Sequence, residues 1–125
     1  MEFPARRQHP ESALQRAVVK LLALREAVAR GTPRAFLFFH PPNGGLRNPR
    51  EAAIFKALGV RVGVPDIVLV YSPANVAFVE LKAGKGRLSP AQEGFRECVQ
   101  NLQCAYYVAW SVEDVEYVLD ELVIG

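Results

Sequence analysis

VPDIVLVYSPANVAFVELK, residues 64–82, is the stretch on which the fold turns. Two strands, DIVLVY (66–71) and VAFVELK (76–82), flank Ser72, Pro73, Ala74 and Asn75, which reads as an antiparallel hairpin with a turn rich in breakers. If the turn centres on Pro73, paired residue numbers sum to about 146, and Asp66 falls opposite Glu80. Side chains two apart on a strand share a face, so Glu80 and Lys82 project together. Pro65 bounds the start of the first strand and so fixes where Asp66 emerges. Two carboxylates and an ammonium therefore meet at the end of an otherwise apolar sheet. Facing carboxylates destabilise a sheet unless something neutralises them. A hard divalent cation does so, and Mg²⁺ takes one or two carboxylates while keeping sites for water and phosphate. An acid before a strand and Glu-x-Lys on an exposed strand are also common in proteins with no such chemistry, and the spacing alone does not separate the two.

Outward from the hairpin, Ser89, Pro90 and Gln92 open a helix whose expected buried face is Phe95, Cys98, Val99 and Leu102. CAYYVAW (104–110) reads as a strand, with Tyr106 and Trp110 placed in the core. Ser111 caps a last helix that turns Val115, Val118, Leu119 and Leu122 inward. On the other side, a helix runs from about Pro10 to Arg30, with Leu14, Val18, Leu21, Leu22 and Val28 at helical spacing. AFLFF (35–39) is a short apolar strand, and Asn48 with Glu51 three residues on caps a short helix ended by Gly59. The order α-β-α-β-β-α-β-α predicts an α/β protein with a mixed sheet of about four strands flanked by helices. Residues 1–125 read as a single domain, with 1–9 as a flexible arm.

Composition narrows the function classes. No apolar run reaches the roughly 18 residues needed to span a bilayer, and no apolar stretch follows the N-terminal charges as in a secretory leader. Cys98 and Cys104 are too few for a disulfide framework or a thiolate zinc site, so a cytoplasmic protein with free, packing thiols is expected. The net charge of +2 hides an asymmetry: residues 1–61 carry eleven Lys or Arg against four Glu, and residues 62–125 carry four against nine acids. The basic half, rich in arginine, suits phosphate recognition, although a solvated helix face has the same composition.

The stretches GVRVGVPDIVLV (59–70), FVELKAGKGRLSPAQEGF (78–95) and HPPNGG (40–45) together resemble the VRR-NUC family of the PD-(D/E)xK nuclease superfamily. The resemblance implies a restriction-endonuclease-like core. It implies metal carboxylates at Asp66 and Glu80, a further ligand in the Leu81 backbone carbonyl, and a catalytic role for Lys82. It adds Glu11 on the first helix, as a catalytic residue and metal ligand, and Gln92 on the third. Both have plainer readings from sequence: an acid in a first helical turn suits the dipole, and Gln92 could simply close a capping box on Ser89. His40, Asn43 and Gly44 form a stiff turn expected near the substrate strand, and Arg47, Arg50, Lys85 and Arg87 are expected to hold DNA phosphates.

The expected function is an Mg²⁺-dependent endodeoxyribonuclease, with Mn²⁺ able to substitute. Stand-alone members of the family look like homodimeric Holliday-junction resolvases, so a four-way DNA junction is the expected partner and a homodimer the expected assembly. A monomeric flap or nicking nuclease, and a non-catalytic nucleic-acid-binding module of the same fold, are the alternatives.

Overall fold

The computed structural model describes residues 10–42 and 48–125. The elements in order are α1 (Pro10–Ala29), β1 (Phe36–Phe39), α2 (Pro49–Ala57), β2 (Ile67–Tyr71), β3 (Asn75–Leu81), α3 (Pro90–Asn101), β4 (Ala105–Ala109) and α4 (Val112–Leu122). The four strands form one sheet in the order β1-β2-β3-β4, antiparallel across the first two pairs and parallel across the last. A parallel neighbour needs a crossover, and α3 provides it. The element order and the mixed sheet are those expected from sequence, and the arm at 1–9 lies outside the described residues.

The strand alternation divides the sheet into two unlike faces. Ile67, Leu69, Ala77, Val79, Leu81 and Ala109 face α1 and α4 and form the core with Val18, Leu22, Val115, Val118 and Leu119. The opposite face carries Val68, Phe78, Glu80 and Tyr106, and α3 packs on this side against β4. Phe95 of α3 meets Phe78 edge-on, with ring centroids 5.3 Å apart, and the Arg61 guanidinium lies over the same Phe95 ring at 5.9 Å. The segment before β2 thus crosses α3 and straps it to the sheet. Gly63 makes the strap possible: it has φ +78°, and a Cβ there would run into the Ala91 carbonyl at the start of α3.

Several expectations about the core fail, most of them because the helices do not cover the sheet completely. In α3 only Val99 is buried; Cys98 is exposed and Leu102, the C-cap, projects into solvent. The helix sits over the edge strand β4, so its flank and C-terminus overhang. Trp110, one residue past β4, is 48% exposed for the same reason. Val28 lies off the α1 stripe, and Ala29 takes the buried position instead. β1 is half covered, with Phe36 buried while Leu37 and Phe39 are exposed on the face that α3 leaves bare. Among the described residues, no helix is long and apolar enough to cross a membrane.

Candidate active site

The hairpin register brings the two acids together. Ile67 pairs with Val79, and one residue further on Asp66 lies beside Glu80, on the expected sum of 146. Asp66 does not continue the ladder with its backbone. Its Oδ2 accepts from the Leu81 backbone N–H at 2.8 Å, which orients the carboxylate at the sheet end. His40, just past β1, ties down the same residue from the other side: Nδ1 lies 2.7 Å from the Asp66 carbonyl. A carbonyl only accepts, so Nδ1 carries the proton and donates.

Glu80 is 2% exposed and Lys82 7%, so the charged pair is buried rather than solvated. Lys82 Nζ lies 3.4 Å from Glu80 Oε2 and donates to Gln92 Oε1 at 2.9 Å. The Gln92 carboxamide faces both partners, because its Nε2 donates to Glu80 Oε2 at 2.9 Å. The same Oε1 accepts from the Ser89 backbone N–H at 2.8 Å, while Ser89 Oγ accepts from the Gln92 N–H at 3.2 Å. Gln92 therefore closes the capping box of α3 and joins the charged pair at once.

One atom stands outside this network. Glu80 Oε1 is buried and has no hydrogen-bond partner. Burial, and next the charge of Asp66, push the Glu80 carboxyl up to about 7 against the opposing pull of Lys82. Nearby, the buried Tyr106 hydroxyl also lacks a partner and is pushed up to about 12 by burial and then by the charge of Glu80, so it stays neutral. An orphaned buried carboxylate oxygen beside a second carboxylate fits a hard divalent cation. Among the described residues no three of His, Cys, Asp and Glu cluster as ligands, and the acidic pair at this point is Asp66 with Glu80. Mg²⁺ takes one or two carboxylates and keeps several waters.

A cavity of about 320 Å³ opens onto this point, lined by Gln15, His40, Pro65, Asp66, Glu80 and Gln92 among others. Glu11, in the first turn of α1, is not among its lining residues; Gln15, one turn later, is. Gln15 was missed in the sequence reading, and the signal available for it was its position four residues beyond Glu11 on one helix face. Gly63 and Tyr106 were likewise not singled out for the site. Lys85 and Arg87 are exposed on a turn closed by the Gly86 N–H on the Ala83 carbonyl at 2.9 Å. Arg50 is exposed on α2, which contributes no buried residue. Asn43, Gly44 and Arg47 lie outside the described residues.

The chain resembles solved structures described as a VRR_NUC domain protein and as a VRR_NUC domain. The first is 23% identical with a TM-score of 0.67, covering 92% of this chain and 88% of that one. The second is 16% identical with a TM-score of 0.59, covering 90% of this chain and 97% of the other. No curated protein matches the sequence. The VRR-NUC domain model matches residues 11–113, a span from the first turn of α1 to the start of α4 that takes in every residue of the charged network. On that match, the chain belongs to the VRR-NUC domain family, a family of nucleases.

Proposed function

We propose that this protein is a divalent-cation-dependent endodeoxyribonuclease that acts on branched DNA, in particular the four-way junction, as a homodimer. The observation that supports it most is Glu80 Oε1, a buried carboxylate oxygen without a partner, beside Asp66 and on the carboxylate whose other oxygen meets Gln92 and Lys82. Asp66 and Glu80 would hold Mg²⁺ or Mn²⁺, with the Leu81 carbonyl and Glu11 as further ligands. The ion, when bound, supplies Lewis-acid polarisation of a phosphate oxygen and lowers the pKa of a water.

The chain's own residues supply the rest. Lys82 has three N–H donors, of which Gln92 and Glu80 engage two, leaving one for a phosphate oxygen or the attacking water. Fixed at two points, this donor costs little reorganisation as negative charge grows on the oxygens around the pentavalent phosphorus. Gln92 holds Glu80 and Lys82 in mutual register, and His40 and the Leu81 N–H fix Asp66. Lys85, Arg87 and Arg50 would engage backbone phosphates, which position DNA without reading its sequence. About six such contacts would give a log–log salt slope near −5.

The test uses labelled four-way junction, flap, single strand and linear duplex, each incubated with Mg²⁺ or with EDTA. Junction cleavage in Mg²⁺ alone, lost in Asp66→Asn and Glu80→Gln, is the expected result. Absence of metal-dependent cleavage on all four substrates would leave the non-catalytic binding module. Preferred cutting of the flap by a monomer would leave the flap nuclease.

A further inference from the structure

Beside the cavity that holds Asp66 and Glu80, a second groove of about 560 Å³ runs along one face of α1, lined among the described residues by Ser12, Gln15, Arg16, Val19 and Lys20. Residues three and four apart share a helix face, so this is one continuous strip about two turns long. Arg16 and Lys20, one turn apart, are both exposed. Among the described residues neither makes an ion pair or hydrogen bond, unlike Arg25 further along the helix, which lies against Glu116 and Asp120 of α4. Two unengaged cations on one face of a groove are an electrostatic match for a chain of phosphates. The groove also has a direction, because Gln15 lines both it and the cavity holding Asp66 and Glu80.

We propose that this α1 groove seats the sugar-phosphate backbone of the DNA strand on one side of the bond to be cut, with Arg16 and Lys20 on successive phosphates and Gln15 where the strand enters the catalytic cavity. The inference rests on the nuclease reading of that cavity. It assigns substrate contacts to residues carrying no acid-base or metal chemistry of their own. The half-buried Val19 gives the strip an apolar floor for sugar edges, and the Ser12 hydroxyl and Gln15 carboxamide add neutral donors.

The double variant Arg16→Gln/Lys20→Gln removes both charges and keeps good helix formers at exposed positions. A control, Arg30→Gln/Lys56→Gln, makes the same change in net charge on exposed residues outside the groove. Binding of a fluorescein-labelled four-way junction is titrated in EDTA from 50 to 300 mM NaCl, and cleavage is followed in Mg²⁺. The groove variant should bind about tenfold more weakly near 100 mM salt, with a log–log salt slope shallower by about 1.8, since each lost phosphate contact removes about 0.9. Its KM should rise by a similar factor, while the control keeps the wild-type slope. A wild-type protein that binds DNA, with the groove variant showing an unchanged slope or one no shallower than the control's, overturns the groove and leaves the nuclease reading standing. A wild-type protein that binds none of the DNA overturns both. Binding with the predicted slope change but no cleavage supports the groove and counts against the catalytic reading alone.

Discussion

Gln92 performs two jobs with one carboxamide, and the two can be separated by mutation. Ser89→Ala removes the hydroxyl that accepts from the Gln92 N–H but leaves Gln92 against Glu80 and Lys82. It should cost about 1 kcal/mol of stability, the usual worth of an N-cap, with cleavage within about threefold of wild type. Gln92→Ala loses part of the same cap and also strips partners from a buried carboxylate and a buried ammonium, so cleavage should fall on the order of 100-fold. Thermal melts and single-turnover cleavage of the two variants check this; equal loss of activity in both would mean that Gln92 acts only as a cap. Glu80 makes a separate prediction. Its carboxyl is pushed up to about 7 from an ordinary 4.5, first by burial and then by Asp66. A group that holds its proton more tightly when folded stabilises the fold most fully below its unfolded pKa. That contribution is lost as pH rises through the folded value. In EDTA, stability should therefore decline between about pH 4.5 and pH 7, on the order of 2 kcal/mol once solvent screening is allowed for. Glu80→Gln should flatten that decline and melt higher than wild type at pH 7.5 while cleaving nothing. A wild-type melting temperature that is flat over this window would show that Glu80 carries no such strain.

At the scale of elements, the site exists because the strap before β2 holds α3 against the sheet. The Gly63 backbone touches the first turn of α3, and Arg61 covers Phe95 one turn after Gln92. Gly63→Ala adds a methyl where the Ala91 carbonyl stands and forces a positive φ on a side chain that disfavours it. It should cost about 2–4 kcal/mol, and cleavage should drop by more than tenfold even where the protein is folded, because Asp66 rides on one side of this contact and Gln92 on the other. By comparison, Val118→Ala in the α4 core should lower the melting temperature with little change in rate, since Val118 faces α1 and the far side of the sheet. The hairpin was legible because its register follows from strand alternation and one turn, so the Asp66–Glu80 pairing could be read from numbering alone. The double role of Gln92 was visible only as two competing readings, and three-dimensional packing made them compatible. Gln15 and Gly63 were not visible as site residues. A helix-face glutamine has no chemistry that marks it out, and a glycine's close contact depends on the path of a distant helix. Periodicity likewise gave the inward stripes of α1 and α4 but could not say how far α3 overhangs β4, so Cys98, Leu102 and Trp110 were misplaced.

At the scale of the whole molecule, the proposed junction cleavage takes two cuts related by the junction's approximate two-fold symmetry, whereas the described residues of one chain present one pair of facing carboxylates, Asp66 and Glu80. On that proposal an isologous dimer would supply the second cut, with the same patch serving on both copies. β1 is an edge strand, but pairing edge to edge is obstructed, since its Phe38 N–H donates to Glu26 Oε1 of α1 at 3.2 Å. The last helix exposes Tyr117, yet Glu116 and Asp120 beside it are held by Arg25 in a polar surface. The face of β1 is the stronger site for a second copy, because Leu37 and Phe39 stand exposed where α3 does not reach. A stable interface needs about 800 Å² from each partner, so these two side chains would be its apolar centre rather than its whole extent. Leu37→Lys/Phe39→Lys replaces exposed residues and should leave the melting temperature within a few degrees of wild type. Light scattering should then show the wild type as a dimer and the variant as a monomer. On a junction, the variant should still nick but lose the paired, simultaneous cuts that give two linear products. A wild-type protein that scatters as a monomer at assay concentration, with flap cleavage intact, would move the assignment from resolvase to flap nuclease and leave the active site as described.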